Sequence, residues 1–147
     1  MTLAVVSGLG VGTAFAYWTS SGAGSGTAGA NSLQTVTVAA FVGGDSPASS
    51  LLPAGPAGEV ILRLSNPNAF AVTLVSVVGN GTITADSGHS GCSTTGVSFT
   101  NQTGLSVSVP AGSSLVRLPA AASMSTASLN ACQGATFHIP VTITVHK

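Results

Sequence analysis

The sequence predicts an all-β fold: an immunoglobulin-like antiparallel β-sandwich of seven to nine strands over residues 33–147, with one disulfide. Three observations predict it. After Leu33 the apolar residues alternate with polar ones instead of recurring at helical spacing. Gly, Pro and Asn interrupt them at roughly ten-residue intervals, and the chain has two cysteines. A small barrel or a jelly roll is the alternative architecture.

The composition limits the classes of partner that the protein can bind. Apolar residues make up 44% of the chain and charged residues 4%, and the formal net charge is zero, whereas about a quarter of an average soluble domain is charged. The surface is therefore expected to consist of Ser, Thr, Asn and Gly. Such a surface has no electric field that attracts a polyanion, so we expect no nucleic-acid partner.

Residues 1–16 have the features of a signal peptide. The stretch from Thr2 to Ala16 is uncharged and apolar, and it closes with Ala14-Phe15-Ala16, the small-x-small pattern that precedes a cleavage site. It is shorter than the roughly 20 residues of a membrane span. We expect cleavage between Ala16 and Tyr17, then a secreted or cell-surface protein with no membrane contact. No Lys or Arg precedes the run, so a basic signal region, if there is one, lies upstream of Met1.

Residues 17–32 read as a tether, because the Gly, Ser and Ala residues that dominate them bury almost no surface. Tyr17 and Trp18, at the expected new amino terminus, have no local core to join. They pack either back on the domain or elsewhere. In the second case, this segment adds as a donor strand to an open sheet edge of the next subunit, and the subunits form a filament.

The alternation predicts eight strands, at 35–42, 59–65, 72–78, 82–85, 97–100, 105–109, 114–118 and 137–145. In the last strand, the odd-numbered residues from Phe137 to Val145 are apolar, which predicts one buried face. Pro140 cannot donate to a ladder, so this strand is expected at a sheet edge or with a bulge. The segment Asn66-Pro67-Asn68 predicts a tight reversal, and with it a hairpin from Val60 to Val78.

The chain has an even number of cysteines, Cys92 and Cys132, and it has the features of an exported protein, so a disulfide between them is expected. It would tie the Gly-rich loop at 86–96 to the stretch before the last strand. Closing a loop of about 40 residues stabilises a fold by about 4 kcal/mol on the chain-entropy model. Two cysteines are too few ligands for a structural metal site.

The few titratable residues argue against catalysis. The loop Asp86-Ser87-Gly88-His89-Ser90 contains the residue types of a nucleophilic triad, but triads are assembled from separate parts of a fold, so we expect a solvated turn. His138 and His146 share the wet face of one strand and are too far apart to bind one metal ion. A weak metal site of His89, Asp86 and one of these histidines is the less favoured alternative. We predict no catalytic residue, no metal and no cofactor.

Four other positions have a plain structural interpretation. Arg63 and Arg117 lie on the face opposite the apolar rows of their strands, where a charge discourages edge-to-edge pairing. Asn80-Gly81-Thr82 and Asn101-Gln102-Thr103 match the glycosylation acceptor pattern. Because that spacing is common, we interpret both as turn residues.

Two parts of the sequence resemble known proteins. AFAYWTSSGAGSGTAGA, at 14–30, looks like the export region of small actinobacterial secreted proteins with a SipW-type signal. NPNAFAVTLVSV at 66–77, VSVPAGSSLVRLP at 107–119 and MSTASLNACQGATFHIPVTITV at 124–145 resemble an uncharacterised family of actinobacterial secreted immunoglobulin-like proteins. The resemblance implies export and a sandwich fold, and no activity.

The sequence therefore predicts a secreted or cell-surface structural or binding module without catalytic activity. Its expected partner is a cell-envelope protein or a second copy of the chain. The alternative is a self-assembling extracellular fibre subunit that uses its amino-terminal segment as a donor strand. Camelysin-type matrix fibre proteins share the SipW-type signal and an all-β fold, and this analogy favours the alternative, although a shared fold does not carry function.

Overall fold

A computed structural model describes residues 33–42 and 50–147 of the chain. The predicted signal peptide at 1–16, the tether at 17–32, the cleavage site between Ala16 and Tyr17 and the Tyr17–Trp18 contact lie outside the described residues. Within them the chain forms nine strands and two short 3₁₀ helices, Ser87–His89 and Asn130–Cys132. The strands are β1 Thr37–Val42, β2 Gly58–Asn66, β3 Val72–Gly79, β4 Thr84–Ala85, β5 Val97–Phe99, β6 Gln102–Val109, β7 Gly112–Met124, β8 Phe137–Ile139 and β9 Val141–His146.

The strands form two antiparallel sheets. The larger sheet has the order β4-β8-β1-β2-β7-β5, and the smaller one has the order β6-β3-β9. The prediction of an antiparallel β-sandwich of seven to nine strands is confirmed. No helix among the described residues is long and apolar enough to cross a membrane.

The core lies between the inner faces of the two sheets. Because side chains alternate across a strand, each strand contributes every second residue. In β2 this row is Val60, Leu62 and Leu64, each at most 2% exposed. The opposite sheet contributes a matching row of fully buried side chains from β3 and β6: Leu74, Val77 and Val109.

Five connections carry the chain from one sheet to the other. They follow β2, β3, β5, β6 and β8. Strand pairing together with two of these connections makes a closed circuit. From β3 the pairing leads to β9, the chain connects β9 to β8, and pairing continues through β1, β2 and β7 to β5. The chain then connects β5 to β6, which pairs with β3. The strands therefore form a flattened ring.

Two predictions about connections are wrong. The segment from Val60 to Val78 is not a hairpin, since β2 pairs with β1 and β7 while β3 pairs with β6 and β9. The reversal at Asn66 instead carries the chain between sheets. The predicted last strand is also divided: Pro140 is neither within an edge strand nor in a bulge, but falls between β8 and β9. Its carbonyl accepts a hydrogen bond from the Asn80 N–H at 2.8 Å.

The predicted disulfide is confirmed. Cys92 and Cys132 are bonded, with their Cα atoms 4.7 Å apart and both side chains buried. Cys132 ends the second 3₁₀ helix, five residues before β8 begins. The bond therefore fixes the 86–96 loop to the segment that leads into the ring-closing strand, as the sequence predicts.

Candidate binding surface

The Asp86 loop uses its carboxylate to hold the backbone. Asp86 caps the 3₁₀ helix Ser87–His89, with Oδ1 accepting hydrogen bonds from the Gly88 N–H and from His89 Nδ1, both at 2.9 Å. Oδ2 accepts from the Thr136 N–H at 2.6 Å. The hydrogen bond from His89, followed by that from Thr136, lowers the pKa of Asp86 from 3.8 to about 2. The carboxylate thus joins the loop to the residue that precedes β8, as in the predicted turn.

The structure does not bring the three histidines together. His138 lies on the exposed face of β8, opposite Phe41, and His146 lies at the end of β9, opposite Thr73 in the other sheet. Among the described residues no group of three His, Cys, Asp or Glu side chains is placed to hold a metal ion. The predicted lack of a catalytic residue stays a prediction.

Both asparagines of the acceptor patterns lie outside the strands in connecting segments. The Asn80 carboxamide donates to Thr142 Oγ1 at 2.9 Å. The Asn101 side-chain oxygen accepts from the Gly79 N–H at 2.9 Å. These contacts agree with their interpretation as turn residues.

The outer face of the large sheet carries an apolar surface around a cation. Strand register places Ala39, Arg63 and Leu115 in one row across β1, β2 and β7, and Phe41 and Ile61 in the next row. We call these five residues the β1-β2-β7 face. Leu115 is 62% exposed and lies on the part of β7 that pairs with β2 alone, since β5 pairs only with residues 122–124. An exposed leucine beside two half-buried apolar side chains makes a contiguous patch, which marks binding surfaces more often than scattered apolar residues do.

Arg63 of this face and Arg117, which lies opposite Ile61 on β7, have different partners. Arg117 Nη1 donates to Glu59 Oε1 at 2.5 Å, so this pair is locally neutral. The Arg63 guanidinium lies over the Phe41 ring, 5.0 Å from its centroid, and contacts no carboxylate among the residues that the structure describes. One cation is thus left in apolar surroundings. The predicted role in blocking a sheet edge is wrong for Arg63, because β2 pairs with β1 and β7 on its two sides there. At Arg117, β7 pairs with β2 alone, since β5 pairs only with residues 122–124.

A shallow concavity of about 660 Å³ lies over one end of this face. Arg63 and Leu115 form part of its wall, and the next row of the sheet supplies three hydroxyl groups, from Thr37, Ser65 and Ser113. Apolar area, a guanidinium and hydroxyl groups therefore meet in one hollow. Ligand sites in proteins commonly have this combination, in which apolar area supplies the contact and a few polar groups fix the orientation of the ligand.

A second hollow, of about 510 Å³, lies beside the disulfide. Leu52 and Leu129, both well exposed, stand at it together with Met124 and Phe137. None of its described lining residues is charged, and its wall includes residues 50–53, which follow the undescribed segment 43–49. The β1-β2-β7 face is the better candidate because all its strands are described.

Sequence reasoning placed the arginines on the outer face and missed the apolar residues around them. The available signal was Leu115, an apolar residue at the wet parity of β7, between Ser114 and the buried Val116. Leu115 and Arg63 become neighbours only through the pairing of β2 with β7, which is non-local. Comparison of the chain with family models, curated proteins and solved structures finds no match.

Proposed function

We propose that the protein acts outside the cell as a structural or binding module without catalytic activity, and that it binds a cell-envelope protein through the β1-β2-β7 face. The observation that carries the proposal is the exposed row Ala39, Arg63 and Leu115, beside Phe41 and Ile61. Arginine and aromatic side chains in an apolar patch are enriched at protein interfaces.

The chemistry of this face suggests the partner. Arg63 has an aromatic ring beneath it and no carboxylate beside it among the described residues. Desolvation of a lone guanidinium is costly unless a carboxylate of the partner pairs with it. The partner surface is therefore expected to have an apolar centre for Leu115 and a carboxylate placed for Arg63.

Export is supported by the disulfide, since such bonds persist in oxidising compartments and are rare in the cytosol. Together with the apolar stretch that ends at Ala16, it favours a protein that leaves the cell. The test is intact-mass measurement of the protein from the culture fluid and from washed cells. A chain that begins at Tyr17 supports export, and a chain that stays in the cytosol with its amino terminus intact rules it out.

Binding is tested with washed cell envelopes of the producing organism, before and after protease treatment. We expect Leu115→Ser and Arg63→Gln each to weaken binding at least tenfold, because each removes a central contact of a small interface. Val78→Ser is the matched control, since Val78 is an exposed apolar residue on β3, the central strand of the other sheet.

The outcomes separate the alternatives. Loss of binding in the two face variants but not in the control, with binding abolished by protease, supports the proposal. Equal loss in all three variants, or no binding of the unaltered chain, contradicts it. Binding that survives protease indicates a polysaccharide partner and rejects the protein partner proposed here.

A further inference from the structure

One edge of the small sheet is free and regular. β9 pairs with β3 over Val141–His146, and no other strand pairs with it among the described residues. On its other side, the pairing of β1 with β8 ends at Ala40 opposite Ile139; β1 remains close to β9 but forms no ladder with it. Alternate backbone N–H and C=O groups of β9 therefore point away from β3 without a strand partner, which makes an edge that another strand can join.

The opposite edge of the same sheet is protected. Between Leu74↔Val107 and Ser76↔Thr103, β6 advances four residues while β3 advances two. The extra residues include Gly104, at a φ of +68°, which only glycine adopts without strain. Such a bulge prevents further strands from adding to an edge. The pairing of β3 with β9 also has a bulge, between Leu74↔Val145 and Ser76↔Thr144. There the extra residue belongs to β3, so the backbone of β9 stays regular.

The side chains of β9 also suit an added strand. Its inner row, Val141, Ile143 and Val145, is only half-buried, whereas Leu74 in the neighbouring β3 is fully buried. Its outer row consists of exposed threonines followed by His146. β-Branched residues favour strands, and the stretch Val141–His146 contains no Lys, Arg, Asp or Glu that would repel a second copy.

We propose that β9 pairs antiparallel with β9 of a second copy of the chain about a two-fold axis at Ile143. In this register Val141 lies opposite Val145 of the second copy, Thr142 lies opposite Thr144, and Ile143 lies opposite itself. Residues that face each other in an antiparallel pair point to the same side of the sheet, so valine meets valine and threonine meets threonine. The two small sheets become one six-stranded sheet. The two-fold contact uses the same edge on both copies, so it closes as a dimer.

A second copy suits this edge better than the tether does. Residues 22–32 consist of Gly, Ala, Ser, Thr and Asn, with glycine and alanine most frequent, and these two residues are depleted in strands. Tyr17, Trp18 and Thr19 are the only run of consecutive strand-forming residues in the tether, and they cover only half of a six-residue edge. The donor-strand fibre therefore stays as the competing outcome of the test.

The first test uses two lysine variants of the full chain. Val145 and Val107 both lie opposite Leu74, on the free and on the bulged edge respectively, and both are half-buried. Sedimentation analysis is expected to give a dimer for the unaltered chain and for Val107→Lys. For Val145→Lys we expect a monomer, with the dimer dissociation constant raised at least tenfold. Circular dichroism checks that both variants fold.

A cross-linking test covers the case in which a lysine variant fails to fold. Ile143→Cys places two thiols across the proposed axis, so oxidation is expected to give a covalent dimer; Thr103→Cys on β6 is expected to give none. A monomeric unaltered chain, equal cross-linking of the two cysteine variants, or loss of the dimer in Val107→Lys as in Val145→Lys contradicts the proposal. Filaments that form only in chains beginning at Tyr17, and not at Asn31, overturn it in favour of the donor strand. Leu115→Ser leaves the dimer intact, so failure of the proposed binding face is recognised separately.

Discussion

The side-chain oxygen of Asn66 accepts two hydrogen bonds from Asn68, one from its backbone N–H at 3.1 Å and one from its carboxamide at 2.9 Å. Both residues are almost completely buried. The Asn66 amide group donates in turn to the carbonyls of Phe70, Val109 and Pro110 at 2.9, 3.1 and 3.2 Å. One side chain therefore satisfies groups in the β2–β3 reversal and in the β6–β7 turn, so it joins the two places where the chain changes sheets at this end of the sandwich.

Asn66→Leu is expected to lower the free energy of unfolding by about 3 kcal/mol, because leucine leaves one buried carbonyl, two partly buried carbonyls and two buried N–H groups of Asn68 without their partner. Urea denaturation followed by circular dichroism measures the change. Asn101→Leu is the control: Asn101 is exposed and accepts one hydrogen bond, so a loss of about 1 kcal/mol or less is expected. Equal losses in the two variants would show that the buried carboxamide has no special role.

The stability of the protein is expected to fall in acid through Asp86. Its folded-state pKa is about 2, below the ordinary 3.8, so the charged carboxylate stabilises the fold above this range, and the contribution is lost as the pH falls from 3.8 towards 2. Asp86→Asn should therefore be less stable than the unaltered chain near neutral pH, and the difference should shrink across that window. Thermal unfolding at a series of pH values tests this.

His89→Gln is the matched variant for this pH dependence. The hydrogen bond from His89 is the largest cause of the lowered pKa, so its removal is expected to raise the pKa of Asp86 and to begin the acid loss at a higher pH. A variant whose stability falls over the same pH range as the unaltered chain would show that the Thr136 N–H, rather than His89, sets the titration.

Replacement of both cysteines, Cys92→Ala with Cys132→Ala, is expected to cost about 4 kcal/mol, because the loop between them is no longer closed in the unfolded chain. Guanidinium denaturation gives the difference in unfolding free energy. The unaltered chain in a reducing agent serves as the control and should match the double variant. If the reduced chain keeps its full stability, the native packing around the bond is sufficient and the entropic account is wrong.

Ser114→Ala is expected to stabilise the protein by about 1 kcal/mol. The Ser114 hydroxyl is buried on β7 and has no hydrogen-bond partner among the described residues, so its removal relieves an uncompensated desolvation cost. Its neighbour Ser113 is exposed, and Ser113→Ala should change the unfolding free energy by no more than about 0.5 kcal/mol. Calorimetry of the two variants compares them directly. A destabilised Ser114→Ala would mean that the hydroxyl has an unseen partner, such as water.

The alternation of side chains along each strand was readable from the sequence because it is a local property. The odd-numbered residues from Phe137 to Val145 are more buried than the even-numbered ones, as the pattern indicates. What the pattern could not give is the neighbour of each strand. Pro140 reads equally well as an edge position, a bulge or a break, and only the pairing of β8 with β1 and of β9 with β3 decides between them.

The polar network and the binding face were missed for the same reason. Asn66 follows Val60, Leu62 and Leu64 at the buried parity of β2, so an amide in an apolar row was a signal that its partners lie inside. Its acceptors Val109 and Pro110 are more than 40 residues away in the chain. The disulfide was predictable because two cysteines allow one pairing.

The ring of strands is closed by a segment, residues 137–146, that is synthesised after all the strands it joins. β8 lies between β1 and β4 in the large sheet and β9 pairs with β3 in the small one, so until residues 137–146 emerge neither sheet is complete. Contacts between distant parts of a chain form late and slowly. A nascent chain of this topology cannot complete its sandwich until β9 is available to pair. It therefore stays unfolded during synthesis of the earlier strands, and passage through a narrow translocation channel requires an unfolded chain.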